Sequence, residues 1–148
     1  MQKIFIASDH GGYNLKEKIK EIFSKSGYEF EDLGTNSTES CDYPLYAEKV
    51  ANKVQETNGR GILVCGTGIG MSIAANKFKG IRASHCTDTF SARMTREHNN
   101  SNILCLGERI TGQDLALDIV KIWLETPFSN GERHLKRIEL INKIENNL

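Results

Sequence analysis

Residues 61–72 read Gly-Ile-Leu-Val-Cys-Gly-Thr-Gly-Ile-Gly-Met-Ser. Ile62, Leu63 and Val64 form a short, continuously apolar run, the pattern of a strand buried on both faces of a parallel sheet. Glycines follow at 66, 68 and 70, and Met71-Ser72-Ile73-Ala74-Ala75 then starts a helical pattern. A strand that opens through a glycine turn into a helix commits the chain to alternating α/β architecture. Cys65 holds the last strand position. In open parallel sheets that edge is where ligands bind, and glycines there let backbone N–H groups crowd toward an anion with a helix start behind them. The spacing Gly-x-Gly-x-Gly is neither the dinucleotide fingerprint nor a P-loop, which needs a Lys. Two readings stand: a site for a phosphate or a developing oxyanion, and an ordinary tight turn.

The rest of the chain repeats the alternation. Residues 3–8 predict a first strand. A helix follows through about residue 26, with Asn14 and Glu17 as a capping pair and Leu15, Ile19, Ile22 and Phe23 as its apolar stripe. Residues 28–32 predict a second strand. Pro44 suits the first turn of a helix to about residue 57, with Ala47, Val50, Ala51 and Val54 inward. After the 61–72 stretch, whose helix is expected to run to about residue 78, residues 80–84 and 103–107 predict two more strands. The connecting helix spans residues 87–98. Thr111 and Asp114 would cap a helix through about residue 125. Pro127 and Gly131 mark a break before a last helix at 132–146, with Leu135, Ile138, Ile141 and Ile144 on one side. Five strands alternating with helices predict an α/β fold with a parallel sheet and an extra C-terminal helix. At 148 residues, with no linker or repeat, the chain is expected to form a single domain.

The formal net charge is zero, so no global field draws in nucleic acid or an anionic membrane surface; neither is expected as a partner. No apolar run approaches the ~20 residues of a membrane span. The cysteines at 41, 65, 86 and 105 show no Cys-x-x-Cys spacing. They are expected to be free thiols in a reducing cytoplasm, and with no basic region and long apolar core at the start a signal peptide is not expected.

Three strand ends carry polar groups, and a parallel sheet gathers such ends at one edge. They supply Asp9-His10, Cys65-Gly66-Thr67 and Arg109, and the helix end at His98-Asn99 is expected to join them. Cys65 reads as a nucleophile or base, because a thiol titrating near ~8.5 is shifted down by an amide cluster, or as a buried structural Cys. Cys105, mid-strand, reads as structural. His98 reads as a helix C-cap or a functional group. Arg133 and Arg137, four apart, share a helix face and could grip a phosphate as paired forks or form a solvated basic face. No His, Cys and Asp cluster has metal-ligand spacing, so no metal is expected.

The segments Ile6-Ala7-Ser8-Asp9-His10-Gly11-Gly12, Gly61 through Lys77 and Glu97-His98-Asn99-Asn100-Ser101-Asn102 resemble ribose-5-phosphate isomerase type B, a family that also includes the galactose-6-phosphate isomerase subunits. The resemblance spans essentially the whole chain. It implies a three-layer, Rossmann-like α/β/α sandwich with five parallel strands. It also implies a homodimer or dimer of dimers, with sites completed at the subunit interface. The implied activity is interconversion of ribose 5-phosphate and ribulose 5-phosphate through an enediolate, without metal or organic cofactor. By motif, Cys65 matches the base that moves a proton between C1 and C2. His98 matches the ring-opening group, Asp9 its polar partner, and Thr67 the hydroxyl that assists transfer between O1 and O2. His10, Tyr43, Asn99 and Arg109 match substrate contacts, Arg133 and Arg137 phosphate ligands, and the amides of Gly66, Gly68, Ile69 and Gly70 donors to the enediolate.

Three alternatives stay open on the sequence. One is the same chemistry on a hexose 6-phosphate such as allose or galactose 6-phosphate. A second is a flavodoxin-like phosphate-binding module, which would need neither Cys65 nor His98. A third is a redox sensor built on Cys65, which would want a neighbouring resolving cysteine.

Overall fold

In the computed structural model, which describes residues 2–148, the apolar runs form five parallel strands: β1 Gln2–Ser8, β2 Tyr28–Asp32, β3 Arg60–Cys65, β4 Ala83–His85 and β5 Ile103–Gly107. Their order is β2-β1-β3-β5-β4. The chain leaves β1 toward one side and returns past it to β3, so the strand order reverses between β1 and β3, where a crevice opens at the strands' C-terminal ends. Ser8 pairs with Val64 and Cys65 with Gly107, so these three strands end level.

Alternation along the strands builds two cores. Ile4, Ile6, Ile62, Val64, Leu104 and Leu106 face one side. There they meet α1 (Tyr13–Ser24) and α5 (Gln113–Glu125) through residues such as Ile19, Phe23, Ile119 and Trp123, and α4 (Thr89–Asn99) through Ala92. Phe5, Ala7, Leu63, Ile103 and Cys105 face the other, against α2 (Tyr43–Thr57) and α3 (Ile69–Ala75). The result is the predicted α/β/α sandwich.

Several local expectations are corrected. Asn14 does not cap α1: its N-cap is Gly12, and a single 3-10 turn at His10–Gly12 precedes it, capped by the Asp9 carboxylate. Glu108, from beyond β5, reaches the Leu15 N–H at 2.5 Å; a distant carboxylate thus does what the local Asn14–Glu17 pair was expected to do. Thr111 does not cap α5, which starts after Gly112 without a side-chain cap. The helix after Cys65 is shorter than expected, ending at Ala75, and α4 starts two residues late because Asp88 caps it through the Ser91 N–H. The last helix, α6 (Glu132–Asn146), buries no residue. His134, Ile138, Asn142 and Glu145 are half-buried along one face. Arg133, Arg137, Leu140, Ile141 and Ile144 are exposed, and helical spacing puts them on a common stripe.

One buried charge was not foreseen. Lys16 is 0% exposed. Its Nζ donates to both Asp32 carboxylate oxygens at 2.8 Å and to the Thr35 carbonyl at 2.6 Å. It therefore pins the chain after β2, whose Gly34 and Thr35 bond the backbone of Ser8 beside Asp9. Burial alone would raise the Asp32 pKa; hydrogen bonds from Lys16, Lys20 and the Gly34 N–H outweigh it and hold the carboxyl below its ordinary range. A depressed carboxylate stabilises the fold above its unfolded pKa and loses that contribution as pH falls through the folded value. Removing one partner of a buried pair costs about 3–5 kcal/mol. Lys20 still pairs with Asp32 at 2.7 Å, so Lys16→Met is expected at about 2–3 kcal/mol, a drop of roughly 5–10 °C in Tm. Thermal unfolding followed from pH 7 down to pH 3 checks both: the gap between variant and wild type should narrow as the pH falls.

Candidate functional site

At the level ends of β1, β3 and β5, three loops converge. After β1, Asp9 is 8% exposed and its Oδ1 accepts the N–H groups of Gly11 (2.9 Å) and Gly12 (3.2 Å). His10 Nδ1 accepts the Cys41 N–H at 3.2 Å.

After β3, Cys65 is 5% exposed and its Sγ accepts the Gly68 N–H at 3.1 Å. Thr67 is exposed, and its Oγ1 accepts the Ile69 N–H at 3.2 Å. Gly68 holds φ +82°, and a Cβ there would sit 2.7 Å from the His85 ring and 2.9 Å from the Leu106 backbone; only glycine allows both the turn and the approach. Gly70 lies against the Tyr43 ring, 2.7 Å from where its own Cβ would be. The expected oxyanion donors are thus partly engaged, Gly68 with the thiol and Ile69 with Thr67.

After β5, Arg109 extends across the mouth. A Cβ on Gly11 or on Gly66 would lie 3.4 Å from its guanidinium, and its backbone N–H donates to the Gly66 carbonyl at 3.0 Å. Asp9, His10, Tyr43, Cys65, residues 66–70 and Arg109 therefore surround one crevice.

His98 and Asn99 do not join them. A helix between parallel strands runs back antiparallel to them, so the C-terminal end of α4 lies at the strands' opposite edge. Contacts place it there: Arg82, just before β4, donates to the carbonyls of Asn99 (3.0 Å) and Asn100 (3.0 Å), and Asn102 accepts the N–H of Gly61 at the start of β3. At ~3.3 Å per residue, a five- or six-residue strand separates the two edges by about 15–20 Å. The expectation that the fold class gathers Cys65 and His98 at one edge is corrected, and the sequence order held the signal: a helix returning from β4 to β5 must end below the sheet.

His98 has other company. Its ring stacks on His134 of α6, with centroids 4.2 Å apart and planes 13° from parallel. Burial, then the charges of His98, Arg133 and Arg137, hold the His134 pKa below its ordinary value. His134, which no sequence motif singled out, thus lies with His98, Arg133 and Arg137. The expected site residues thus fall into two groups on opposite edges of the sheet. Among the described residues no group of three or more His, Cys, Asp or Glu could hold a metal ion, and no helix is long and apolar enough to cross a membrane.

Residues 4–141 match the model of the Ribose/Galactose Isomerase family. The chain is 48% identical over 147 residues to ribose-5-phosphate isomerase B of Escherichia coli, covering 98% of this chain and 97% of that one. It superposes on ribose-5-phosphate isomerase B of Clostridium thermocellum with TM-score 0.96 at 55% identity, covering 99% of both chains. It superposes likewise on the Mycoplasma genitalium enzyme with bound ribulose-5-phosphate, with TM-score 0.94 at 40% identity, covering 99% and 97%. The family match and these likenesses run along nearly the full length: the chain belongs to the ribose/galactose isomerase family.

Proposed function

We propose that residues 1–148 form a single sugar-phosphate isomerase domain that interconverts ribose 5-phosphate and ribulose 5-phosphate, working as a homodimer or dimer of dimers. Each site takes Asp9, His10, Tyr43, Cys65, Thr67, the 66–70 amides and Arg109 from one chain. It takes His98, Asn99, Arg133 and Arg137 from its partner. The observation that carries this is the splitting of one chemical set between two edges of the same chain. In a two-fold dimer, each copy offers one edge to the other and both sites are completed together. Apolar side chains are exposed beside both half-sites, Tyr43, Ile69 and Ile73 near the crevice and Leu140, Ile141 and Ile144 on α6; such surface favours burial against another chain.

The chemistry follows from the placements. The aldose rests mainly as a ring, and His98 with Asp9 moves the protons that open it. Cys65 removes the C2 proton, and the electron pair shifts to the C1 carbonyl oxygen, giving an enediolate. The loop amides, fixed before reaction, face that charge. The proton returns at C1, while Thr67 relays the hydroxyl proton between O2 and O1, completing the ketose. Arg133 and Arg137 hold the phosphate away from the reacting carbons, so their binding energy fixes the sugar for proton transfer. Free thiols at all four cysteines support a reducing, cytoplasmic setting.

Purified protein assayed on ribose, allose and galactose phosphates tests the substrate. Turnover is expected to be greatest with ribose 5-phosphate; a preference for either hexose overturns the assignment. Arg137→Ala is expected to raise KM about tenfold, the loss of one charge-assisted contact, with kcat nearly kept. An unchanged KM would return α6 to a solvated basic face.

A further inference from the structure

The N-terminal edge of the sheet carries another polar pocket, of about 350 Å³, lined by Lys3, Arg60, Arg82, Arg96, Asn100 and Asn102 among others. It shares no residue with either half-site, and no Asp or Glu lines it. Arg96 is 8% exposed, and Arg60 and Arg82 are half-buried. None of the three forms an ion pair among the described residues.

Their partners are neutral. Arg60 donates to the carbonyls of Trp123 (3.3 Å) and Leu124 (3.1 Å) and to Gln2 Oε1 (2.9 Å). Arg82 donates to the carbonyls of Asn99 and Asn100. Arg96 donates to the carbonyls of Thr126 (3.1 Å) and Ser101 (2.5 Å) and to Asn100 Oδ1 (3.0 Å). Arg60 and Arg96 also lie over the Trp123 ring, at 5.0 and 5.8 Å. These contacts orient the forks, and the ring offsets part of the charge; they leave three cations lining one pocket with no ion pair among the described residues. Burial, then the charges of Arg60 and Arg82, push Arg96 down to about 10. Burial lowers Arg60 and Arg82 as well, with Glu145 partly relieving Arg82 and Tyr28 partly relieving Arg60. Arg82 Nη1 and Arg96 Nη2 donate no hydrogen bond among the described residues, and neither is a sealed-off polar atom. Buried cations are ordinarily paired, and converging forks with open N–H groups match the geometry of an oxyanion.

We propose that this pocket is an anion site, separate from the sugar-phosphate site, in which Arg60, Arg82 and Arg96 hold a compact oxyanion: inorganic phosphate or the phosphate of a small ester. Lys3, which also pairs with Glu31 at 3.6 Å, adds charge at the rim. Because Arg82 and Arg96 also hold the 99–101 carbonyls, the anion would rest against the turn that follows His98.

The test uses the full chain carrying Arg133→Ala and Arg137→Ala, which removes the phosphate ligands of the proposed isomerase site and makes the result independent of that assignment. Inorganic phosphate is titrated at low ionic strength by calorimetry and by ³¹P NMR, against a chloride control. One saturable site per chain is expected, weakened at least tenfold by Arg60→Gln. Glycerol 3-phosphate in the same cell separates free phosphate from an ester: equal affinity means an open site for either, binding of phosphate alone a closed one. Circular dichroism confirms that Arg60→Gln is folded; if it is not, Arg60→Lys, which keeps the charge without the fork, is expected to bind several-fold more weakly. No saturable phosphate binding, or binding indifferent to Arg60→Gln and Arg82→Gln, overturns the proposal.

Discussion

Cys65→Ala is expected to lower kcat by about 10³-fold, within the range that a positioned proton-transfer group supplies, while the protein stays folded. Cys65 is nearly buried, and deleting its sulfur leaves a cavity smaller than a Leu→Ala change would, at a cost of about 1 kcal/mol. Cys65→Ser is expected to recover little: the hydroxyl can still accept the Gly68 N–H but resists ionisation far more than a thiol. Exchange of the substrate C2 proton with solvent should vanish in both variants, which separates loss of the base from loss of binding. Cys105 is the internal control. It is fully buried in β5, and burial, with Cys65 and Cys86 next to it, pushes its thiol well above the ordinary range. Cys105→Ala should leave kcat unchanged and cost only stability. Turnover retained in Cys65→Ala would remove Cys65 as the base.

Much of the fold was legible because burial on both faces of a parallel sheet leaves a mark that needs no tertiary knowledge: Ile62-Leu63-Val64 and Ile103-Leu104-Cys105-Leu106 are apolar without alternation. The crevice loops were legible for the same reason, since a strand end fixes where Asp9, Cys65 and Arg109 emerge. Contacts made at long range left no such mark. Glu108 caps α1 from 93 residues away, so local pattern favoured Asn14 instead. Lys16 lies beside the apolar stripe of α1, and its partner Asp32 is 16 residues on; nothing near Lys16 in the chain shows the pairing. His98 differs from both. The alternation that revealed the sheet also dictates that α4 ends at the far edge, and attention to strand ends alone hid that consequence.

The far edge makes the second large prediction. Cys65→Ala disables the crevice half, and a chain carrying His98→Asn together with Arg137→Ala disables the other half. Each protein alone should be nearly inactive. If the halves come from different chains, a mixed dimer places both defects in one site and leaves the other with an intact Cys65 and an intact His98–Arg137 set. Random reassociation makes about half of the dimers mixed, each with one working site of two, so the refolded mixture should reach about a quarter of wild-type activity under two-fold symmetry. KM at the surviving site should be that of the wild type. A site contained within one chain would gain nothing from mixing, because every chain would keep its own defect. Activity that stays at the level of the separate variants, in a mixture shown by native mass spectrometry to contain mixed dimers, would sink the shared site and with it the role assigned to His98. The about 15–20 Å between the two edges, set by strand length, is too far for His98 to reach the Cys65 crevice of its own chain by a change of rotamer, so the mixture decides between two chains and none.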